Sequence, residues 1–330
     1  MVTQILPLVL SPLIEEILDL LAVIVFYNRD TCQHESAFRS LYVRPTPVEL
    51  PITAERLTIG AWFDPRRSEE RKDAIAMLGT HNVVLLGETH NEPDHHRWQL
   101  HTIETLFSLR PEMVLGFEMF PRRVQPVLDR WSRGELNETA FLDEVDWPRI
   151  WGFESQLYLP LFSFARKYHL PMVALNVDRE TSRRVATQGF ASTPLVDREN
   201  VGDPAPASPS YRECLFGWFK NHPAGREGTA ANSARFESFV RAQLFWDCAM
   251  AEAIARACRD RPRALAVGIM GRGHIEYGDG VPHQLAAVGI DNIATALPWS
   301  VDIDCPRRNP PIADLLFGIA PAGDCELPLQ

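Results

Sequence analysis

Four short apolar runs set the rhythm of this chain, each closed by turn-forming or polar residues and then followed by a helix-length pattern. They are Val83–Leu86 (in NVVLLGETH), Met113–Phe117 (EMVLGFEMF), Met172–Leu175 (PMVALNVD) and Ala264–Ile269 (RALAVGIMGRGH), with a weaker fifth at Asn292–Leu297. Runs this short do not suit buried helices and fit strands covered on both faces. Helical periodicity fills the intervals, over 93–109, 121–131, 137–145, 155–169, 178–188, 211–221 and 232–259. The alternation predicts an α/β fold, a mainly parallel sheet flanked by helices. Residues 189–231 break the alternation as loops around a short helix and, together with 121–169, are read as helical insertions over one edge of the sheet. The layout expected is an apolar amino-terminal segment and linker (1–55), the α/β domain (56–300) and a Pro-rich tail (301–330) that docks loosely on it.

Composition narrows this picture only a little. The chain has 330 residues, 45% of them hydrophobic and 23% charged, which is ordinary for a globular protein. Its 26 prolines imply many loops and segmented helices. The net charge of −10 argues against duplex nucleic acid as a partner, because such binding needs a basic footprint. Much of the acidity belongs to the ends, since residues 1–60 and 301–330 each carry −3. Six cysteines form no CxxC pair, no zinc-ribbon spacing and no CxxCH, which excludes covalent c-type haem. A Cys305–Cys325 bridge in the tail stays open.

Residues 5–27 (ILPLVLSPLIEEILDLLAVIVFY) are strongly apolar, yet Glu15, Glu16 and Asp19 interrupt them. A span through a bilayer would bury three carboxylates at a cost of a few kcal/mol each. The favoured reading is an amphipathic helix packed on the body or on a membrane surface. A degenerate signal or anchor is the alternative, although no basic residue precedes the run and no cleavage site follows it.

In open α/β sheets, ligands bind outside the carboxyl ends of the strands. There the sequence places Gly87-Glu88-Thr89-His90, then Glu118, then Asn176, then Gly271-Arg272-Gly273-His274. Two G-x-x-H tetrapeptides at strand tips, with Glu118 between them, point to one shared crevice, the glycines letting the chain turn sharply. His95 and His96 begin the next helix and are read either as solvated or as gathered with His90 around its amino terminus. Asp247 falls inside an apolar helical stripe, where a carboxylate needs a partner, and it is read as bracing an Arg or His of the crevice or as capping a local backbone group. Trp151 and Tyr158, in the aromatic stretch 147–158, are read either as a loop and helix packed on the core or as an apolar wall and a phenol suited to a flat aromatic ligand. Tyr277 supplies a second phenol near the crevice.

Taken together, VVLLGETHNEPDHH, VLGFEMF, LYLPLFSFARKYHLPMVALN, FWDCAMAEAI and GRGHIEYGDGVP resemble the ChaN-like haem-binding uptake family of the Tiki superfamily. The resemblance spans roughly residues 57–298. It implies a bacterial protein of iron or haem acquisition, with haem held non-covalently by a tyrosine. Tyr158 or Tyr277 would ligate iron, with Trp151, His95 and Asn176 around it. It also implies, from the wider superfamily, metal-dependent hydrolysis, in which His90, His274 and Glu118 would hold a divalent ion such as zinc or manganese. Glu88 would then be the general base. A third alternative is an interaction module with a purely structural crevice. The family favours a cell-envelope or periplasmic location, while the lack of a clear signal peptide or lipobox leaves the cytoplasm open, and a homodimer stays open too.

Overall fold

The computed structural model describes residues 57–221, 230–231, 233–305 and 309–321. The apolar run 5–27, the linker and Cys325 lie outside the described residues. Eight strands form one sheet: β1 (Trp62–Asp64), β2 (Glu69–Glu70), β3 (Val83–Glu88), β4 (Met113–Pro121), β5 (Met172–Asn176), β6 (Leu265–Gly271), β7 (Ile293–Ser300) and β8 (Leu315–Ile319). Their spatial order is β2-β1-β8-β7-β3-β6-β4-β5. Strands β3 to β8 pair in parallel, and only β1 runs antiparallel to its neighbours β2 and β8.

Ten α-helices are described: α1 (Ala74–Leu78), α2 (Pro93–Leu109), α3 (Gln125–Ser132), α4 (Glu138–Val145), α5 (Trp147–Ile150), α6 (Ser155–Lys167), α7 (Arg179–Gln188), α8 (Pro209–Asn221), α9 (Ala234–Asp260) and α10 (Val281–Ala287). None is long and apolar enough to cross a membrane. α2 starts on proline, whose missing N–H costs nothing in the first turn. α9 starts on Ser233, whose side chain accepts the Phe236 N–H.

Strands β3, β4 and β6 are buried along their whole length on both faces, as continuous apolar runs require. Val84, Leu86, Leu115 and Phe117 belong to one core, under α2, α3 and α6. Val83, Leu85, Val114 and Ala266 belong to the other, under α9 and α10. Successive side chains alternate between these faces. Glu88 is therefore in phase with Val84 and Leu86, whereas Glu118 is in phase with Val114. The two carboxylates leave the sheet crest toward opposite layers.

Two expectations change. The tail does not dock loosely: Leu315–Ile319 pairs with β7 from Ala296↔Leu315 to Ser300↔Ile319 and also with β1. The apolar LLFGI segment wins over the surrounding prolines because it fills an interior place in the sheet, with Leu315 and Leu316 fully buried. The crevice glycines also act otherwise than expected. Neither Gly87 nor Gly271 has a positive φ. A Cβ on Gly87 would meet Leu297 Cδ2 at 2.5 Å and Ile275 Cδ1 at 2.7 Å, and one on Gly271 would meet His90 Cε1 at 2.9 Å. Close approach, not turning, is what requires glycine there.

Candidate functional site

Strands β3, β6 and β4 are neighbours, so their carboxyl ends bring three polar groups together. Glu88 is in register with Gly271, and Phe117 with Ile269, which sets Glu118 beside the end of β6. The Gly271 N–H donates to Glu118 Oε2 at 2.6 Å. His274 follows in a short 3-10 turn (Arg272–His274) and sits between two carboxylates. Its Nδ1–H donates to Asp247 Oδ1 at 2.6 Å, and its Nε2 lies 3.3 Å from Glu118 Oε1. Asp247, on α9 and fully buried, also accepts the Tyr211 hydroxyl from α8 at 2.7 Å. The partner expected for this carboxylate is thus His274, and Tyr211 completes its shell. Tyr211 carries no motif or spacing that marks it in the sequence.

The charges of this chain reinforce each other. Burial opposes ionisation of His274, but Glu118 and then Asp247 overcome it and raise its pKa to about 10. Burial likewise opposes the Glu118 carboxylate, and His274, His90 and the Gly271 N–H lower its pKa to about 2. Both partners therefore describe one buried ion pair at neutral pH.

On the other face, Glu88 Oε1 accepts from His90 Nδ1 at 2.6 Å. Burial would lower the His90 pKa, but the charge of Glu88 and its hydrogen bond outweigh this and raise it. The loop carrying His90 is pinned from α2 and α6. The His96 Nε2–H and the Tyr158 hydroxyl both donate to the His90 carbonyl, at 3.1 and 3.2 Å. His95 Nδ1 accepts the Thr89 N–H at 2.9 Å. That acceptor role matches a pKa lowered to about 3 by burial, Arg272 and His96. His95 and His96 are both buried, so neither is a solvated first-turn residue; they brace the turn after β3.

Beside this cluster, at the carboxyl ends of β4 and β5, lies a cavity of about 440 Å³. That is within the range of small-molecule sites, roughly 300–1,000 Å³. Glu118, Trp151 and Asn176 line it, as do Trp246, Ile150 and Val177. Four arginines join them: Arg123, Arg149, Arg179 and Arg184. Arg123 is paired with Asp178 at 2.6 Å, and Arg149 and Arg184 lie 3.9 and 3.7 Å from Asp146 and Glu180. Arg179 donates to the Ile150 carbonyl at 2.9 Å and forms no ion pair among the described residues. Its pKa is lowered by burial and then by neighbouring Arg183. A guanidinium in that setting favours an incoming anion.

Residues 74–285 match the family described as haem-binding uptake, Tiki superfamily, ChaN. The chain belongs to this family. Among solved structures it is similar to ChaN of Campylobacter jejuni, described with cofacially bound haem, at TM-score 0.61 and 16% identity over 79% of this chain and 98% of that one. An erythromycin esterase variant in its open conformation aligns at TM-score 0.43 and 12% identity, over 72% of this chain and 77% of that one. The type III effector HopBA1 aligns at TM-score 0.41 and 9% identity, over 75% and 91%. No curated protein matches the chain.

Within this ChaN-family fold the residues named from sequence fall into three groups. Glu118, Trp151 and Asn176 line the cavity. Glu88, His90 and His274 stand behind it, with the Trp151 ring 4.7 Å from that of His90. Tyr158, Tyr277 and His95 do not line it. Tyr158 is 0% exposed, and burial together with Glu88 raises its pKa well above the ordinary phenol value. Tyr277 is buried in the α9 core, where its backbone N–H donates to the Ile312 carbonyl.

His90, Glu118 and His274 are the residues expected from the sequence to hold a divalent ion. The described residues hold no group of three His, Cys, Asp or Glu side chains placed to bind an ion. Both His274 ring nitrogens face carboxylates, and His90 Nδ1 is held by Glu88. Sequence reasoning missed the arginines. The signal available was the basic sequence Arg179-Glu180-Thr181-Ser182-Arg183-Arg184 directly after the end of β5.

Proposed function

We propose that the protein binds haem non-covalently, as cargo of iron or haem acquisition, in the cavity at the carboxyl ends of β4 and β5. The observation that carries this reading is the lining itself, in a chain of the haem-binding uptake family. Haem is a flat apolar plate with two carboxylates on one edge. Trp151, Trp246, Ile150 and Val177 suit its faces, and Arg179, with its rim neighbours, suits the carboxylates. The described lining contains no Tyr, His or Cys, so no iron ligand is assigned. Titrating haemin into the purified protein tests the proposal. A saturable shift of the Soret band at micromolar haemin is expected, and its absence defeats the reading.

One observation favours a second reading, hydrolysis without a metal. The short Glu88–His90 hydrogen bond orients an imidazole as a general base for water. Turnover of a p-nitrophenyl ester in the presence of a chelator, abolished in His90→Gln, is the result this reading requires. A rate equal to the protein-free rate rejects it.

A further inference from the structure

We infer that residues 148–152 form a lid between the cavity and the buried side chains of His90 and Tyr158, held shut by Arg179 and released when a ligand carboxylate takes that guanidinium. The inference rests on the haem-binding reading above and describes how the ligand reaches what lies behind the lining.

The loop has a fixed base and a short span. α5 is one turn long, and a residue of positive φ stands at each end of the segment, Asp146 at +56° and Gly152 at +86°. Left-handed backbone of this kind reverses the chain sharply, and Gly and Asp are among the residues that adopt it at least cost. The base is tied on both sides. The Trp147 indole N–H donates to the Phe153 carbonyl at 2.8 Å. Trp147 is itself anchored by Phe120, Phe162 and Tyr158, with ring centroids 5.9, 5.7 and 5.4 Å away.

The inner side of the loop makes the seal. Ile150 and Trp151 are buried and line the cavity, while Pro148, Arg149 and Gly152 are exposed. The Trp151 ring lies 4.7 Å from that of His90 and 6.1 Å from that of Tyr158, which is fully buried. Trp151 therefore belongs to the cavity wall and also touches the groups behind it.

Arg179 ties the loop to α7. Its Nη2 donates to the Ile150 carbonyl at 2.9 Å, and the same side chain lines the cavity. A neutral carbonyl is a modest partner for a guanidinium whose charge is opposed by burial and by neighbouring Arg183. A carboxylate bonds it about twice as strongly, in a bidentate fork. Turning the guanidinium plane to that fork withdraws Nη2 from Ile150, so the anion that binds also opens the lid. Opening carries Trp151 off Tyr158, one of the two tyrosines that the family resemblance offers as the iron ligand.

The test is hydrogen exchange of the amides of residues 149–152 in the full-length protein, with and without haemin at a concentration that saturates the Soret shift. The Ile150 and Trp151 amides donate to the Asp146 and Trp147 carbonyls. Their exchange is expected to quicken by about tenfold when haemin binds, as release of one charge-assisted hydrogen bond allows. A ligand ordinarily stabilises the folded segments it touches, so quickening confined to this loop separates a lid from a contact surface. The ligand-free Arg179→Glu variant tests the tie by itself, and the same amides are expected to exchange about tenfold faster than in wild type. Haemin bound with unchanged or slowed exchange in the loop overturns the inference and leaves the haem reading standing. Wild-type exchange in Arg179→Glu overturns it as well. Absence of any Soret shift overturns both, because no carboxylate then arrives at Arg179.

Discussion

The His274 imidazole holds a charge that the sheet crest would otherwise expel. Its pKa of about 10 and the Glu118 pKa of about 2 fix where this pair stabilises the fold. His274 is raised above its ordinary 6.5, so its contribution is full below pH 6.5 and is lost as pH rises toward 10. Glu118 is depressed below 4.5, so its contribution is present above pH 4.5 and is lost as pH falls toward 2. Replacing His274 by Asn strands Glu118 and Asp247 as facing buried carboxylates. It is expected to cost about 3–5 kcal/mol, as removing one partner of a buried pair does. Urea midpoints of wild type and variant should differ most between pH 4.5 and 6.5 and converge toward pH 10. A difference that stays constant up to pH 10 would show that His274 acts by packing alone. At this scale the sequence was informative where a polar residue broke an apolar pattern. Asp247 in its helical stripe announced a partner, and His274 is that partner. Tyr211 broke no pattern and so stayed invisible.

Among the elements, the strands and long helices followed from periodicity because each run has one burial pattern along its length. α2 occupies the interval expected for it, and α9 begins and ends close to its expected bounds. β8 was missed because prolines on both sides mark a loop, while pairing with β7 and β1 is a long-range contact that local pattern cannot contain. Leu316, fully buried in β8, tests its weight. Leu316→Ala should destabilise by about 2–5 kcal/mol in chemical denaturation, the usual cost of a core truncation. A loss near zero would mean that the tail is dispensable after all. The strand β3 carries its own constraint. Gly87→Ala drives a methyl into Leu297 and Ile275, with contacts of 2.5 and 2.7 Å. A loss of about 1–3 kcal/mol is expected, as for other overpacked cores. Unchanged stability would show that the side chains above β3 give way freely.

Across the molecule, one sheet with two cores brings together groups that lie far apart in the chain: Glu88 and Glu118 from neighbouring strand tips, Asp247 from α9 and the arginines from α7. The location at the strand ends was legible because the parallel α/β pattern dictates it. The lining was not, because Arg179 and Trp246 come from helices whose rotation about the sheet is set only by packing. The same packing seals Tyr158 behind Trp151 and engages the histidines with carboxylates. Haemin binding followed by the Soret band in wild type and in Arg179→Glu tests this account most directly. The account predicts saturable binding by wild type, weakened by about tenfold in the variant. Equal affinity in the two proteins would place the haem outside this cavity and contradict it.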